Sequence, residues 1–256
     1  MKTKVIAVNM STECIKEPRC SFCYQKDLKY KPKEGYWLGL ASIISSKVHE
    51  WKKQEDVEKV VVALEYSGYN LDVLLEHEWY FTGSYRNEKA ITEITMTTMP
   101  QAVTETLCGA VAKWGCKAIS LSYDSEKVRD SFDWIEKAEL IKNAGMLVGC
   151  NYLMEEIPFT IPEGVLNHAD QINLLSMKPT GKLPIKALEY VVKYVGELRS
   201  KGHEVVVDNC LGVQMGLISE CKRGKDFVHL LPNGEFKDCC FEDNCWLFNH
   251  SGGFEF

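Results

Sequence analysis

Three cysteines near the beginning of the chain are close enough together to bind one metal centre. Cys20 and Cys23 are separated by two residues, a spacing that lets both thiolates reach the same metal, and Cys14 adds a third thiolate from the same segment. Structural zinc takes four protein ligands, and no fourth ligand is evident nearby, since His49 falls on the helix predicted to follow. Three thiolates on one loop favour a 4Fe-4S cluster whose fourth iron stays open to a small molecule.

The other cysteines fall into two groups. The chain has 11 cysteines in all, and five of them lie near its end, at Cys210, Cys221, Cys239, Cys240 and Cys245. Disulfides are disfavoured in the cytoplasm, where we expect this chain to be, so clustered cysteines indicate metal or redox chemistry. The scattered cysteines fall in apolar or helical patterns and are interpreted as small core residues: Cys108, Cys116 and Cys150.

The elements that must position these residues alternate between strands and helices. Short apolar runs rich in β-branched residues predict buried parallel strands at 4–8, 59–64, 90–96, 118–122, 146–151, 171–175 and 204–207. Apolar residues at helical spacing, Phe132 and Val192 among them, predict helices between the strands. Three glycines mark predicted helix ends, at Gly115, Gly145 and Gly202.

A partial barrel accounts for these elements better than a complete one. Strands that alternate with helices call for a parallel sheet with right-handed crossovers, and a complete eightfold barrel takes about 250 residues. About six strand–helix units are used by Gly202, and a cysteine-rich segment follows. We therefore predict an α/β fold, with a partial (β/α)6 TIM-like barrel over residues 1–208 and a small cysteine-rich extension over residues 209–256. In the extension, Pro232, Asn233 and Gly234 between two short β runs predict a hairpin.

The segment from Cys14 to Tyr24 directly follows the first predicted strand and resembles the cysteine loop of the radical S-adenosylmethionine superfamily. Phe22 lies between the last two cysteines and Tyr24 follows them, as in that family. The gap of five residues between Cys14 and Cys20 is longer than the family's usual gap. The resemblance implies that the cluster binds S-adenosylmethionine, with Phe22 and Tyr24 beside it.

Other predicted strand ends resemble the cosubstrate-binding motifs of the same family, in the same order. Ser67 and Gly68 resemble the glycine-rich turn that holds the amino group of the cosubstrate, although Glu65 is displaced from the family's position. Ser120 and Ser122 resemble polar groups that face its ribose or carboxylate, and either serine could instead cap the next helix. The fifth strand ends at Asn151, which the resemblance also implies as a contact.

The predicted hairpin near the end of the chain is framed by cysteines and resembles a twitch domain, or the first part of a SPASM domain. Such domains hold an auxiliary iron–sulfur cluster. The resemblance implies four ligands, Cys210, Cys221, Cys239 and Cys245, with Cys240 as the alternative to its neighbour because adjacent side chains on an extended chain point apart. A zinc site completed by His229 or His250, and reduced thiols without a metal, are the other interpretations.

A member of this superfamily would be an enzyme. The 4Fe-4S cluster would pass an electron to S-adenosylmethionine, giving methionine and a 5′-deoxyadenosyl radical that abstracts hydrogen from a substrate. The lateral opening of a partial barrel would admit a small molecule or a peptide, and the reaction would need an electron donor such as flavodoxin or ferredoxin. A non-catalytic iron–sulfur electron carrier or maturation scaffold, and a zinc-binding α/β protein, are the alternatives.

The overall composition limits the classes of partner that we expect for this chain. Hydrophobic residues make up 45% of the chain and charged residues 26%, which is typical of a globular domain. The formal net charge of -6 argues against a nucleic-acid partner. No apolar run is long enough to span a bilayer, and no signal-peptide pattern is evident, so we expect a cytoplasmic protein without a membrane partner.

Overall fold

The computed structural model of the chain describes residues 2–10, 14–15, 36–68, 71–76, 93–124, 128, 131–176, 183–222 and 224–239. The strands are β1 (Lys2–Asn9), β2 (Val57–Glu65), β3 (Glu93–Thr98), β4 (Cys116–Tyr123), β5 (Leu147–Met154), β6 (Gln171–Ser176), β7 (Val205–Val207), β8 (Phe227–Leu230) and β9 (Phe236–Lys237). The α-helices are α1 (Tyr36–Lys52), α2 (Leu71–Glu76), α3 (Glu105–Lys113), α4 (Ser131–Asn143), α5 (Glu163–His168), α6 (Ile185–Ser200) and α7 (Asn209–Gln214), and a 3-10 turn spans Pro100–Ala102.

The strands form one sheet that follows the order of the chain. β1 to β7 lie side by side in sequence, and each is parallel to its neighbours. Right-handed crossovers between successive strands place the connecting helices on one face of such a sheet. Within the described residues the sheet ends at β7 on one side and at β9 on the other. The prediction of a partial α/β barrel is confirmed.

Burial alternates along the strands and distinguishes the two faces of the sheet. In β2, Val60, Val62 and Leu64 are buried in the hydrophobic core, whereas Lys59 and Glu65 stay partly exposed. The same alternation runs through β3 and β4. Because successive side chains of a strand point to opposite faces, the buried set faces the helices and the other set lines an inner face. Polar side chains on this inner face are therefore available for function.

Three helices end just before the predicted glycines. Gly115, Gly145 and Gly202 have φ angles of 84°, 80° and 90°, in the left-handed region that glycine adopts without strain. After α4, the N–H of Met146 donates to the carbonyl of Ile141 at 3.3 Å, which completes a Schellman motif with the bond from Gly145 to Lys142. These three predictions are confirmed.

Two apolar residues counted in the helical patterns face solvent instead. Phe132 is 80% exposed, because the buried face of α4 is formed by Trp134, Ala138 and Ile141 and Phe132 lies on the far side of the helix. Val192 is 50% exposed, because its neighbour Val191 takes the buried position and successive helical residues point about 100° apart.

The C-terminal hairpin joins the same sheet. β8 lies parallel to β1 on the side away from β2, and β9 pairs antiparallel with β8, so the predicted hairpin is confirmed. Gly234 has φ 84° and its N–H donates to the carbonyl of Leu231 at 2.9 Å. The division of the chain at residue 208 stays a prediction. Among the helices of the described ranges, none has the length and apolar character needed to cross a bilayer.

Candidate functional site

The Cys14 segment lies against the turn after β2. The backbone N–H of Met10 donates to the carbonyl of Glu65 at 3.1 Å, and the N–H of Ile15 donates to the carbonyl of Ser67 at 3.3 Å. Cys14 is partly buried and packs against the hydrophobic core. The structure thus positions Cys14 at the carboxyl edge of the sheet, where barrels of this kind carry functional groups.

Ser67 and Gly68 form the turn that receives this segment. Gly68 has φ 82°, and a Cβ built on it would lie 2.6 Å from Ile15 Cδ1 and 2.9 Å from Ala102 Cβ. The turn is also held to β3, because the Thr98 hydroxyl donates to the Tyr66 carbonyl at 2.8 Å. Both predicted residues therefore lie beside Ile15, the residue after Cys14, and their contact with a cosubstrate stays a prediction.

A row of hydrogen-bonded polar side chains crosses the inner face from β3 to β6. Asn173 Nδ2 donates to Asn151 Oδ1 at 2.8 Å, and Asn151 Nδ2 donates to Thr97 Oγ1 at 3.5 Å. β4 lies between β3 and β5, and its inner-face residues at this level are the small Ser120 and Ser122. Small side chains on β4 allow the longer amide side chain to reach across it. The predicted Ser120, Ser122 and Asn151 are thereby brought into one region with Thr97 and Asn173.

The two serines are strand residues and not helix caps. Both lie within β4, and the following helix begins at Ser131, so the capping interpretation is wrong. Ser120 Oγ occupies the space beside Gly149 on β5, since a Cβ built on Gly149 would lie 2.3 Å from that oxygen. Ser122 lies opposite Asn151 in the β4–β5 register. Their role as cosubstrate contacts stays a prediction.

A buried histidine from the C-terminal hairpin also lies on the inner face. His229 on β8 is opposite Ala7 on β1, and its Nδ1 is 3.8 Å from Glu65 Oε1. The imidazole is 3% exposed, and the Phe227 ring meets it edge-on with centroids 4.8 Å apart. The small Ala7 on the intervening strand β1 leaves room for this contact. An acid and an imidazole are therefore held together near the end of β2.

Stacked aromatic rings support the ends of β4 and β5. Tyr123 and Tyr152 follow Ser122 and Asn151 directly, and their rings stack with centroids 5.5 Å apart. Tyr152 also stacks on Phe159, at 5.1 Å. Burial raises the pKa of Tyr152 to about 12, so its phenol stays neutral near neutral pH. These rings hold the two strand ends that carry predicted site residues.

The scattered cysteines are buried among core residues. Burial raises the pKa of Cys108 to about 11 and that of Cys116 to about 12, and it raises the pKa of Cys150 further. The Cys116 thiol donates to the carbonyl of Ala118 at 3.3 Å. Metal ligation requires the thiolate form, so these raised pKa values fit the interpretation of the three as core residues.

Of the five cysteines near the end of the chain, which we call the tail cysteines, the three that the structure describes lie in separate segments. Cys210 is buried on α7, whereas Cys221 and Cys239 are partly exposed on either side of the hairpin. Within the described ranges, three or more His, Cys, Asp or Glu side chains do not gather into a metal-binding group. The remaining predicted residues lie outside the described ranges, and their roles stay predictions: Cys20, Cys23, Phe22, Tyr24, Cys240 and Cys245.

Two inner-face residues were not assigned to a cosubstrate or substrate site from the sequence. Asn173 lies in register with Asn151, and the period-two pattern of β6 could have indicated it. His229 was considered only as an alternative zinc ligand. Its position beside Glu65 depends on the pairing of β8 with β1, which joins residues far apart in the chain.

Comparisons with known proteins identify a similar fold. No family model and no curated protein matches the sequence. A solved structure described as native anSMEcpe with bound AdoMet matches with a TM-score of 0.62 at 11% identity, over 93% of this chain and 74% of that chain. A mutant tryptophan synthase α-subunit from Pyrococcus furiosus matches with a TM-score of 0.47 at 11% identity, over 81% of this chain and 77% of its own. The partial-barrel α/β fold of this chain is thus also the fold of a solved protein.

Proposed function

We propose that this chain is a radical S-adenosylmethionine enzyme whose cluster is held by Cys14, Cys20 and Cys23. The observation that carries the proposal is the position of Cys14, at the carboxyl edge of a partial barrel and hydrogen-bonded through the next residue to the turn after β2. The solved structure of similar fold was determined with AdoMet bound, which supports the same cosubstrate here.

Among the three proposed ligands, the structure describes Cys14, which is compatible with a cluster of this kind. Cys14 is partly exposed, unlike the buried Cys116 and Cys150. A 4Fe-4S cluster with one open iron, when bound, supplies the electron that splits S-adenosylmethionine into methionine and a 5′-deoxyadenosyl radical, which takes hydrogen from a substrate. An external electron donor such as flavodoxin or ferredoxin would provide that electron.

The inner face offers groups for the cosubstrate. Ser122, Asn151 and Thr97 present hydroxyl and amide groups to one region, and the bond from Asn173 fixes the orientation of the Asn151 amide. Ser120 and the turn of Ser67 and Gly68 border the same edge of the sheet, and Phe22 and Tyr24 would flank the cluster. Neutral donors and acceptors suit the hydroxyls of a ribose and the ends of an amino acid.

The substrate would lie on the same inner face. Glu65 and His229 provide a carboxylate and an imidazole 3.8 Å apart near the end of β2. Such a pair can accept and donate hydrogen bonds to a polar small molecule or to a peptide. Within the described residues the sheet ends at β7 and β9, and a gap between these strands would admit either substrate.

We also propose an auxiliary iron–sulfur cluster in the tail, held by Cys210, Cys221, Cys239 or Cys240, and Cys245. Its support is a close contact at the base of the hairpin. Gly224 has φ 66°, and a Cβ on it would lie 2.7 Å from the Asp238 carboxyl carbon. The segment that follows Cys221 therefore runs against the segment that ends at Cys239, and a shared centre requires that proximity.

The main test is anaerobic reconstitution, reduction and addition of S-adenosylmethionine, with 5′-deoxyadenosine as the measured product. The wild type should form 5′-deoxyadenosine, and the variant C14A/C20A/C23A should form none, because it retains no ligand of the open-iron cluster. Cys108→Ala is the matched control, since it removes a buried cysteine of α3, and it should keep the activity. Equal turnover by the triple variant and the wild type would contradict the proposal.

The auxiliary cluster is tested by counting iron and sulfide in the reconstituted protein. Removal of Cys221 and Cys239 together should lower both counts by about one cluster's worth and should leave the Cys14 cluster in place. A variant without the five tail cysteines should give the same counts. If the wild type already carries a single cluster that survives both changes, the tail cysteines bind zinc or remain thiols.

A further inference from the structure

Gly68 leaves a recess beside Ala102, and the end of the Ile15 side chain occupies it. A Cβ built on Gly68 would lie 2.6 Å from Ile15 Cδ1 and 2.9 Å from both Ile15 Cγ1 and Ala102 Cβ. Real Cβ atoms do not approach other carbon atoms at these distances, so a side chain at Gly68 requires both Ile15 and Ala102 to shift. We call this recess, formed by Gly68 and Ala102, the Ile15 socket.

The Ile15 socket joins three strand ends. Gly68 follows β2, Ala102 closes the 3-10 turn after β3, and Ile15 belongs to the segment that follows β1. The N–H of Ile15 also donates to the carbonyl of Ser67 at 3.3 Å, which fixes the backbone of this segment beside the socket. Ile15 is 43% exposed, so its side chain is held on one side and solvent-facing on the other.

We propose that the Ile15 socket positions the Cys14 thiolate, and that Gly68 is a positioning residue of the cluster site. Cys14 directly precedes Ile15, so a displacement of the isoleucine moves the cysteine with it. Ile15 and Ala102 together occupy the space that a side chain at Gly68 would need. The importance of this positioning rests on the proposed function, because it requires that Cys14 bind the cluster.

The two effects of a side chain at Gly68, strain of its left-handed backbone and collision with its neighbours, can be tested separately. Gly68 has φ 82°, and Gly115 has φ 84° with no atom within 4 Å of an added Cβ. Gly115→Ala therefore introduces the same backbone strain as Gly68→Ala without the collision. Comparison of the two variants isolates the effect of the socket.

The experiment measures alkylation of Cys14 by iodoacetamide in the cluster-free full chain, followed by peptide mass spectrometry. Gly68→Ala should raise the Cys14 rate by about tenfold, because the added methyl expels Ile15 from the socket. Gly115→Ala should leave the rate unchanged. Ile15→Ala alone should raise the rate. In the variant I15A/A102G, which lacks both groups that the added methyl would meet, G68A should raise the rate no further.

Two outcomes would overturn the proposal that the Ile15 socket positions Cys14. In the first, G68A raises the Cys14 rate equally in the wild-type and I15A/A102G backgrounds. In the second, the effect of G68A is no larger than that of G115A. If G68A does not fold, the changes I15A and A102G together should restore folding, and failure to restore it also counts against the socket. Because these rates are measured without iron, the socket can hold while the reconstituted protein binds no cluster, and that result would reject only the proposed function.

Discussion

At the residue scale, Asp208 connects the end of one strand to the start of a helix. One carboxylate oxygen accepts from the N–H and the hydroxyl of Ser176 at 2.8 and 2.9 Å, and the other accepts from the N–H of Leu211 at 2.7 Å. The side chain therefore caps α7 and also fixes the last residue of β6. The same helix carries Cys210, so this residue also sets where a proposed tail ligand lies.

We expect Asp208→Ala to lower the free energy of unfolding by about 2 kcal/mol, because it removes a cap and leaves Ser176 without its acceptor. Thr104→Ala is the control, since Thr104 caps α3 through one bond to Leu107 and should cost about 1 kcal/mol. Urea unfolding of both variants measures the difference. Equal losses would show that the bonds from Asp208 to β6 contribute nothing.

At the scale of elements, a buried lysine holds the start of β8 against β1. Lys4 is 5% exposed, and its Nζ donates to the carbonyl of Lys225 at 2.6 Å and lies 3.8 Å from Asp226 Oδ1. The ammonium also lies over the ring of Trp51 on α1, 5.2 Å from its centroid. One charged group thus ties together the first strand, the first helix and the turn before the hairpin.

Lys4→Met should destabilise the protein by about 3 kcal/mol, because Asp226 and the Lys225 carbonyl lose a buried partner. Hydrogen exchange should also accelerate in β8 more than in β4. Lys2→Met serves as control, since the Lys2–Asp56 pair is exposed on the same strand and its loss should have no measurable effect. An unfolding curve of K4M that matches that of K2M would refute the expectation.

A side chain of α6 binds the backbone of the edge strand β7. The guanidinium of Arg199 on α6 donates to the carbonyl of Val205 through Nη2 at 2.7 Å and through Nε at 3.3 Å. Exposed backbone groups on an edge strand can pair with other chains, and a charged side chain that occupies them reduces this tendency. Arg199 therefore protects the end of the sheet that lies farthest from β9.

At the scale of the whole molecule, the C-terminal hairpin belongs to the same sheet as the barrel strands. Its strand β8 extends the sheet beyond β1, and His229 faces Glu65 on the inner face. The hairpin therefore does more than carry tail cysteines, since it contributes a polar side chain to the surface proposed to bind the substrate. A cluster in the tail would stabilise the segment that holds this histidine.

Buried thiols make the whole protein sensitive to alkaline pH. Burial raises the pKa of Cys116 from 9.0 to about 12, and it also raises that of Cys150. The unfolded chain releases these thiol protons at a lower pH than the folded chain does. The contribution of each thiol to the free energy of unfolding is therefore complete below about pH 9 and is lost as pH rises toward the folded pKa. Each buried thiol lowers the free energy of unfolding by about 1.4 kcal/mol per pH unit in that range.

We therefore expect stability, measured by urea unfolding from pH 8 to about pH 11, to fall steeply above about pH 9. Cys150→Ala should lower stability at pH 8, because it leaves a cavity, and should make the fall with pH shallower, because one ionising thiol is gone. A variant whose pH dependence has the same slope as that of the wild type would show that Cys150 does not contribute to it.

Much of the fold could be predicted from the sequence because the signals are local. The alternation of strands and helices, the hairpin around Pro232 to Gly234 and the helix ends at Gly115, Gly145 and Gly202 all depend on residues within one or two turns of each other. The position of Cys14 just beyond the first strand is local in the same sense.

The tertiary structure decided the features that depend on which strands become neighbours. The bonds that join Thr97, Asn151 and Asn173 cross four strands, and the approach of His229 to Glu65 requires β8 to pair with β1. Periodicity in a sequence shows which face of a strand is buried, but not which distant strand lies beside it.

The sequence by itself determined the partial barrel and marked its cysteines, and the tertiary structure decided what surrounds Gly68. Its sequence context predicts a ligand-binding turn, and the structure places Ile15 in the space beside it. A glycine in a sequence indicates that a side chain is absent. Only the packed molecule shows which group occupies the space, because that group comes from a different strand end, more than 50 residues away in the chain.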